Sequence, residues 1–160
     1  MMSIHIRAAI LADADELSKL ICENAEAMLK PHYTDEQWQI FSRYYSPVEM
    51  GAKINTQAIF CAEQNGRIIG TIALDGDFIL GFYTRLENLN KGIGKLLMAH
   101  LEKYALNNGI TQLQLAASPV GLNFYYKNGW LKVRDFVAVH YGVGYAETLM
   151  TKQLIPATSE

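Results

Sequence analysis

The sequence predicts an α/β domain whose central sheet is mixed, mostly antiparallel and flanked by helices. Short strands separated by tight turns lead into a glycine pair that opens an amphipathic helix, and another strand follows that helix. Strands joined by tight turns pair antiparallel, whereas strands on either side of a crossover helix lie parallel. A chain of 160 residues has room for one domain. We expect that domain to span 1–155, with a short C-terminal tail at 156–160.

The first third of the chain predicts one strand and three helices. Alternation over Ile4–Arg7 indicates a strand, and apolar residues at helical spacing across Asp13–Lys30 indicate an amphipathic helix. The segment 34–37, Thr-Asp-Glu-Gln, has the order of a capping box, and 46–49, Ser-Pro-Val-Glu, repeats the start signal with proline at the first helical position.

The remaining strands are bounded by turn residues. Asn65-Gly66 predicts a tight hairpin because both residues tolerate positive φ, and Asp75-Gly76 repeats the signal. A helix over 92–108 carries its apolar residues on one face and stops at Gly109. Ser118-Pro119 opens a shorter helix. The predicted strands are 58–63, 67–74, 78–84, 111–116, 132–141 and 145–154, the last two joined around 142–144.

Composition and charge exclude several classes of protein. The net charge of −2 and the pI near 6.1 lack the basic excess of a nucleic-acid-binding domain. No apolar run approaches the roughly 20 residues that span a bilayer, and the first residues lack a signal-peptide core. Cys22 and Cys61 belong to no Cys/His cluster, which predicts buried thiols and no metal. We expect a cytoplasmic protein with no nucleic-acid or membrane partner.

The glycine pair, Gly92 and Gly94, is typical of a phosphate-binding turn. Glycine lets a ligand approach the backbone, and the helix that starts there leaves its first N–H groups unpaired, which favours an anion such as a pyrophosphate. Both common nucleotide loops are disfavoured. A dinucleotide loop requires a third glycine where this chain has Leu97, and a triphosphate loop requires Ser or Thr in place of Leu96.

A second motif, Phe-Tyr-Tyr-Lys-Asn-Gly-Trp at 124–130, follows the glycine loop. The order of glycine loop, helix, strand, short helix with Phe-Tyr and then Gly-aromatic resembles the GCN5-related N-acetyltransferase (GNAT) family. The family's loop reads Arg/Gln-x-x-Gly-x-Gly/Ala, so segment 89–94 matches at both glycines and departs at Leu89. The resemblance extends from about Ile4 to Leu154.

The resemblance implies a sheet splayed between its fourth and fifth strands, with acetyl-coenzyme A (acetyl-CoA) as co-substrate and no metal. The pyrophosphate would lie on the glycine loop, and the pantetheine arm would bond like an added strand to the backbone around Phe82 and Thr84. Ser118 falls where many relatives carry an asparagine that bonds the pantetheine; a helix cap before Pro119 is an equal alternative. The expected cofactor-binding residues are Phe82, Tyr83, Thr84, Leu89, Asn90, Lys91, Gly92, Ile93, Gly94, Lys95, Ser118 and Lys127.

The implied reaction is direct attack of a primary amine, on a small molecule or a protein, upon the thioester through a tetrahedral intermediate. A backbone N–H near 82–84 is the candidate donor to its oxyanion. Tyr125 occupies the family's general-acid position, where it would protonate the departing sulfur; the alternative is a packing role. A coenzyme A-binding module without turnover is the competing function.

The acceptor side is the least specified part of the sequence. His32, Tyr33, Asp77 and His140 are expected to contact the substrate. No general base is evident, and the candidates are Asp75, Asp77, Glu87 and His140. The C-terminal strands carry the apolar and aromatic residues Phe136, Val137, Val139 and Tyr141, which either pair two subunits or complete one sheet. Both a monomer and a homodimer are therefore open.

Overall fold

A computed structural model describes residues 3–154 and contains one seven-stranded sheet with helices on both faces. The strands are β1 His5–Ala8, β2 Ala58–Gln64, β3 Arg67–Asp75, β4 Phe78–Thr84, β5 Gln112–Ala117, β6 Leu131–His140 and β7 Val143–Gln153. The helices are α1 Ala14–Met28, α2 Asp35–Tyr44, α3 Pro47–Thr56, α4 Ile93–Asn107 and α5 Leu122–Lys127. The expected tail at 156–160 lies outside the described residues.

The sheet has the strand order β1-β2-β3-β4-β5-β7-β6. Every neighbouring pair is antiparallel except β4 and β5, which are parallel because α4 carries the chain from one to the other. The predicted fold class, a mixed and mostly antiparallel sheet flanked by helices, is confirmed. The last hairpin folds back so that β7, its second strand, lies between β5 and β6.

The sheet splits where β4 meets β5. Their pairing comprises Phe78 with Gln114 and Ile79 with Leu115, although both strands continue beyond these residues. A bulge in β4 lies just past the last pair, where Gly81 and Phe82 together oppose the single residue Ile72 of β3. Gly81 adopts a φ of +54°, which glycine tolerates and which bends the strand. The predicted splay between the fourth and fifth strands is confirmed.

Two apolar cores lie on opposite faces of the sheet. On one face α4 packs Leu97 and Leu101 against Ile72 and Leu115, and all four side chains are fully buried or nearly so. On the other face the helices α1, α2 and α3 cover a second cluster that includes Ile21. The sheet is therefore the middle of three layers. Within residues 3–154, no helix is long and apolar enough to cross a membrane.

The local start signals are borne out at atomic detail. Thr34 Oγ1 accepts from the Gln37 N–H at 3.1 Å, and Gln37 Oε1 accepts from the Thr34 N–H at 2.8 Å, which completes the capping box of α2. The last turn differs from expectation. It consists of Tyr141 and Gly142, both at positive φ, and β7 begins already at Val143. Such a two-residue turn matches the twist of the two strands it joins.

The edge strand β6 presents an apolar row to solvent. Val137 and Val139 are more than three-fifths exposed, whereas their neighbours Phe136 and Ala138 point toward the interior. The alternation is that of a strand with one covered face. The inward face of β6 therefore lines the groove that opens at the split in the sheet.

Candidate active site

The split in the sheet opens into a groove of about 920 Å³. It runs from the N-terminus of α4, past the free edge of β4 and the start of α5, to an aromatic region below α2. A volume of this size suits a ligand of several hundred daltons. The groove is the place where the divergence of β4 from β5 leaves backbone groups without a strand partner.

The N-terminus of α4 supplies hydrogen-bond donors at one end of the groove. Gly92 is the N-cap, with φ of +81° and open space around its Cα, and no side chain of the described residues caps the helix. The first backbone bond of α4 is donated by the Leu96 N–H to the Gly92 carbonyl at 3.1 Å. The N–H groups from Gly92 to Lys95 precede this bond and line the groove.

Gly94 has a different role from Gly92. A Cβ on Gly94 would lie 3.3 Å from the tip of the Phe82 ring and 3.5 Å from the Phe124 ring. The absence of a side chain therefore allows α4 to pack directly on these two aromatic residues, whose rings are 5.6 Å apart. This contact fixes the loop relative to β4 and α5.

The outer end of β4 is held by two buried polar side chains. Asn24 of α1 donates from Nδ2 to the Thr84 carbonyl at 2.7 Å. Arg85 is 7% exposed and donates from Nε and Nη2 to the Ile68 carbonyl at 3.0 and 2.7 Å. These bonds anchor the free edge of β4 to α1 and β3, so that edge is preorganised.

Tyr125 lies between the glycine loop and the middle of the groove. Its ring contacts those of Phe124 and Trp130, with centroids 5.5 and 5.9 Å away. Burial raises the pKa of its phenol above the usual value, so the hydroxyl is protonated at neutral pH. Tyr125 can donate a hydrogen bond or a proton to an atom in the groove.

Glu147 places a carboxyl on the other side of the split. It precedes Thr148, which pairs with Ala117 at the end of β5. Burial raises the pKa of Glu147 from 4.5 to about 7. Desolvation, together with the nearby Tyr125 and Glu147, raises the pKa of the Tyr83 phenol on β4. Tyr83 therefore lies near both groups.

An aromatic wall closes the groove beyond Glu147. The Tyr145 ring lies 5.4 Å from that of Tyr33 and 5.5 Å from that of His140. The Tyr145 hydroxyl donates to the Gln37 carbonyl at 2.7 Å, and Gln37 Nε2 donates to the Gly144 carbonyl at 2.9 Å. These bonds tie α2 to β7, so α2 forms a roof across the two halves of the sheet.

The structure brings most of the predicted site residues together. Lys91 is exposed beside the loop and does not line the groove. Tyr33 and His140 line the aromatic end of the groove, below α2. His32 is exposed in the turn before α2, and Asp77 accepts from Gln114 Nε2 at 3.0 Å at the closed end of the β4–β5 pair. The predicted cofactor residues that line the groove are Phe82, Tyr83, Thr84, Leu89, Asn90, Gly92, Ile93, Gly94, Lys95, Ser118 and Lys127.

Two functional candidates were not found from the sequence. Asn24 contacts Thr84 from a helix 60 residues away, and Glu147 is the one carboxylate among the groove-lining residues described. Glu147 follows Tyr145 by two positions, so strand alternation places both on one face. Of the base candidates outside the groove, Asp75 is exposed and Glu87 pairs with Arg67 at 2.8 Å.

Comparison with known proteins assigns the family. Residues 29–153 match the acetyltransferase (GNAT) domain family. The chain belongs to the GNAT acetyltransferases. The resemblance drawn from the glycine loop and segment 124–130 is thereby confirmed.

Relatives of this acetyltransferase agree with its fold. A spermidine N(1)-acetyltransferase from Thermoplasma acidophilum is 30% identical over 148 residues, which cover 84% of this chain and 91% of the relative. A GCN5-related N-acetyltransferase from Rhodopseudomonas palustris superposes with a TM-score of 0.87 at 25% identity, covering 96% and 98% of the two chains. The PaiA N-acetyltransferase of T. acidophilum, solved with coenzyme A, gives 0.78 at 26% identity, covering 95% and 99%.

Proposed function

We propose that this acetyltransferase moves the acetyl group of acetyl-CoA to a primary amine of a small molecule. One observation carries the proposal: a single groove joins the donors of α4 to a partly buried phenol, Tyr125, and a partly buried carboxyl, Glu147. Backbone donors for an anion, a proton donor and a proton acceptor therefore lie along one groove. The relative named as a spermidine acetyltransferase and the neighbour solved with coenzyme A support the same activity.

The glycine end of the groove fits the diphosphate of acetyl-CoA. The N–H groups of segment 92–95 are free of helical partners, and the helix dipole adds positive potential at this point. Lys95 and Lys127 line the same end and supply positive charge, with Lys91 exposed nearby. Leu89 offers no polar contact, so backbone donors carry the binding.

The middle of the groove fits the pantetheine arm. The β4 edge beyond Ile79 has no partner in β5, which leaves room for an added strand-like ligand. Ser118 begins the turn before α5, yet its hydroxyl makes no capping hydrogen bond. Of the two roles considered for Ser118, contact with the pantetheine is therefore favoured.

The chemistry follows from the two ionisable groups. Glu147, with a pKa near 7, takes a proton from the acceptor ammonium, and the free amine nitrogen forms a bond to the thioester carbon. A backbone N–H of segment 82–84 stabilises the oxyanion. The attached nitrogen gives up one of its two protons to solvent, the carbon–sulfur bond breaks, and the sulfur receives the Tyr125 proton. Tyr125 then regains a proton from solvent, and Glu147 releases the one that it accepted. We retain a cytoplasmic location and a monomer or homodimer as predictions.

Release of free thiol from acetyl-CoA, measured with a panel of primary amines, tests the proposal. We expect amine-dependent release and formation of the acetylated amine by mass spectrometry. Tight binding of coenzyme A without release for any amine would instead indicate the non-catalytic module. In a thermal-shift assay we expect stabilisation by coenzyme A and none by ATP or NAD.

A further inference from the structure

The acceptor half of the groove combines one carboxylate with an apolar and aromatic wall. Among its described lining residues, Glu147 alone is acidic. Directly across the hairpin from Glu147 lies Phe136, and Ala138 lies across from Tyr145. The other lining side chains of this half are mostly apolar or aromatic and include Leu29, Tyr33, Phe41, Tyr44, Leu80 and His140.

Two cations, Lys53 and Arg43, lie beside aromatic residues next to this half of the groove. Lys53 Nζ lies 3.8 Å from the centre of the Tyr44 ring and donates to the Tyr44 carbonyl at 2.7 Å. The Tyr44 ring in turn lies 5.3 Å from that of His140. Arg43 stacks over Tyr141 at 4.5 Å.

Carboxylates do occur near this region, but they lie outside the groove. Glu36 of α2, Glu49 of α3 and Asp75 at the end of β3 act electrostatically on Tyr145 or Tyr44. None of the three lines the groove. Glu36 and Asp75 are exposed, so solvent screens their attraction for a buried cation.

We infer that the acceptor carries a single ammonium group on an apolar, preferably aromatic, body, and that polyamines are poor substrates. The inference rests on the proposed function and specifies its substrate class. The one ammonium pairs with Glu147, and the body packs on the rings of Tyr33, Phe41 and Tyr145.

A second ammonium has no counter-charge in this half of the groove. Placing it among apolar side chains removes its hydration without replacing the lost interactions, which is unfavourable. Placing it beside Tyr44 or Tyr141 brings it toward Lys53 and Arg43. The face of an aromatic ring attracts a cation. In this groove the rings beside Glu147 contact the ammonium that pairs with Glu147, so they do not serve a second one.

Two amines of equal length isolate the effect of the second charge. Hexylamine and hexamethylenediamine differ by one ammonium. Phenethylamine adds an aromatic body with one ammonium, and spermidine adds a third amino group. We expect kcat/KM per amino group to be about tenfold or more higher for hexylamine than for the diamine, highest for phenethylamine and lowest for spermidine. Equal or better turnover of the diamine or of spermidine would overturn this inference while leaving the acetyltransferase intact. Coenzyme A binding without turnover of any amine would overturn both.

A matched pair of substitutions tests the charge argument inside the protein. Ala138→Glu adds a carboxylate diagonal to Glu147 on the groove face of the β6–β7 hairpin, and Val137→Glu adds one on the solvent face of the same strand. We expect Ala138→Glu to raise the diamine-to-hexylamine ratio of kcat/KM about tenfold and Val137→Glu to leave it unchanged. An unchanged ratio in a folded, coenzyme A-binding Ala138→Glu variant contradicts the inference. If that variant does not fold, the comparison of amines with the natural protein decides.

Discussion

Substitutions of Tyr125 and of its neighbour Tyr126 on α5 distinguish a chemical role of Tyr125 from a packing role. Tyr125 is partly buried and packs against Phe124 and Trp130, whereas Tyr126 is 48% exposed. We expect Tyr125→Phe to lower kcat about a hundredfold or more, because the departing sulfur loses its proton donor, with the Kd for coenzyme A nearly unchanged. Tyr126→Phe should leave both constants as they are. Steady-state kinetics and calorimetric titration measure the two, and an unchanged kcat in Tyr125→Phe would reduce Tyr125 to a packing residue.

As the proposed base, Glu147 should set the pH dependence of the reaction. Since burial raises its pKa to about 7, the carboxylate that accepts a proton is half formed near neutrality. We expect kcat/KM to rise with pH through about 7 and then level off. Glu147→Gln should lower kcat/KM about a hundredfold and remove this rise. A Gln variant that keeps the same pH profile would assign the base to another group, and His140 is the next candidate in the groove.

The sequence predicts those site residues that belong to local motifs. Gly92 and Gly94 stand at the start of a helix, so their role is inferred from neighbours along the chain, whereas the role of Tyr125 is inferred from the resemblance of segment 124–130 to the GNAT family. Asn24 and Glu147 have no such signal. Each acquires its role only from the tertiary fold. Asn24 donates to the Thr84 carbonyl of β4. Glu147 reaches the split because Thr148, the next residue of β7, pairs with Ala117 at the end of β5.

The close contact between β3 and α4 positions the start of α4, where we propose that the diphosphate binds. A Cβ on Gly70 would lie 2.9 Å from both Ile93 Cγ2 and Leu97 Cδ1 of α4. We expect Gly70→Ala to destabilise the fold by about 1–3 kcal/mol and to push the start of α4 outward, which raises KM for acetyl-CoA more than KM for the amine.

A second glycine provides the control for this substitution. Gly51 lies inside α3, where an added Cβ would meet Leu11 at an ordinary 3.4 Å. Gly51→Ala should stabilise the protein by about 0.5–1 kcal/mol through its helix propensity and leave both KM values unchanged. Chemical denaturation and kinetics compare the two variants. Equal KM values for acetyl-CoA in Gly70→Ala and the natural protein would remove the positioning role of this contact.

Element types and most bounds follow from periodicity and turn residues, whereas the order of strands in the sheet does not. The turns at Asn65-Gly66 and Gly109 lie where their residues predict, because positive φ is a local property. The insertion of β7 between β5 and β6 depends on which edge the last hairpin presents to β5, which no single segment encodes. The groove therefore emerges from topology more than from composition.

At the scale of the whole molecule, the buried carboxyl of Glu147 couples stability to pH. Its pKa rises from 4.5 to about 7 on folding, so the folded state holds this proton more tightly, and its contribution to stability falls as pH increases between these values. Glu147→Gln should therefore match the natural protein at pH 4, below the unfolded pKa, and exceed its unfolding free energy by on the order of 1–3 kcal/mol at pH 8. Urea denaturation at both pH values measures the difference, and an equal difference at both would contradict the buried charge.

We propose that the free backbone N–H groups at the start of α4 bind the diphosphate of acetyl-CoA and direct its thioester into the split between β4 and β5. Titration of the isotopically labelled protein with coenzyme A, followed by amide NMR, tests it most directly. We expect the largest shifts at the N–H groups of Gly92 to Lys95, with smaller ones along β4 from Gly81 to Thr84. Saturating coenzyme A that leaves the amides of segment 92–95 unmoved would contradict the claim.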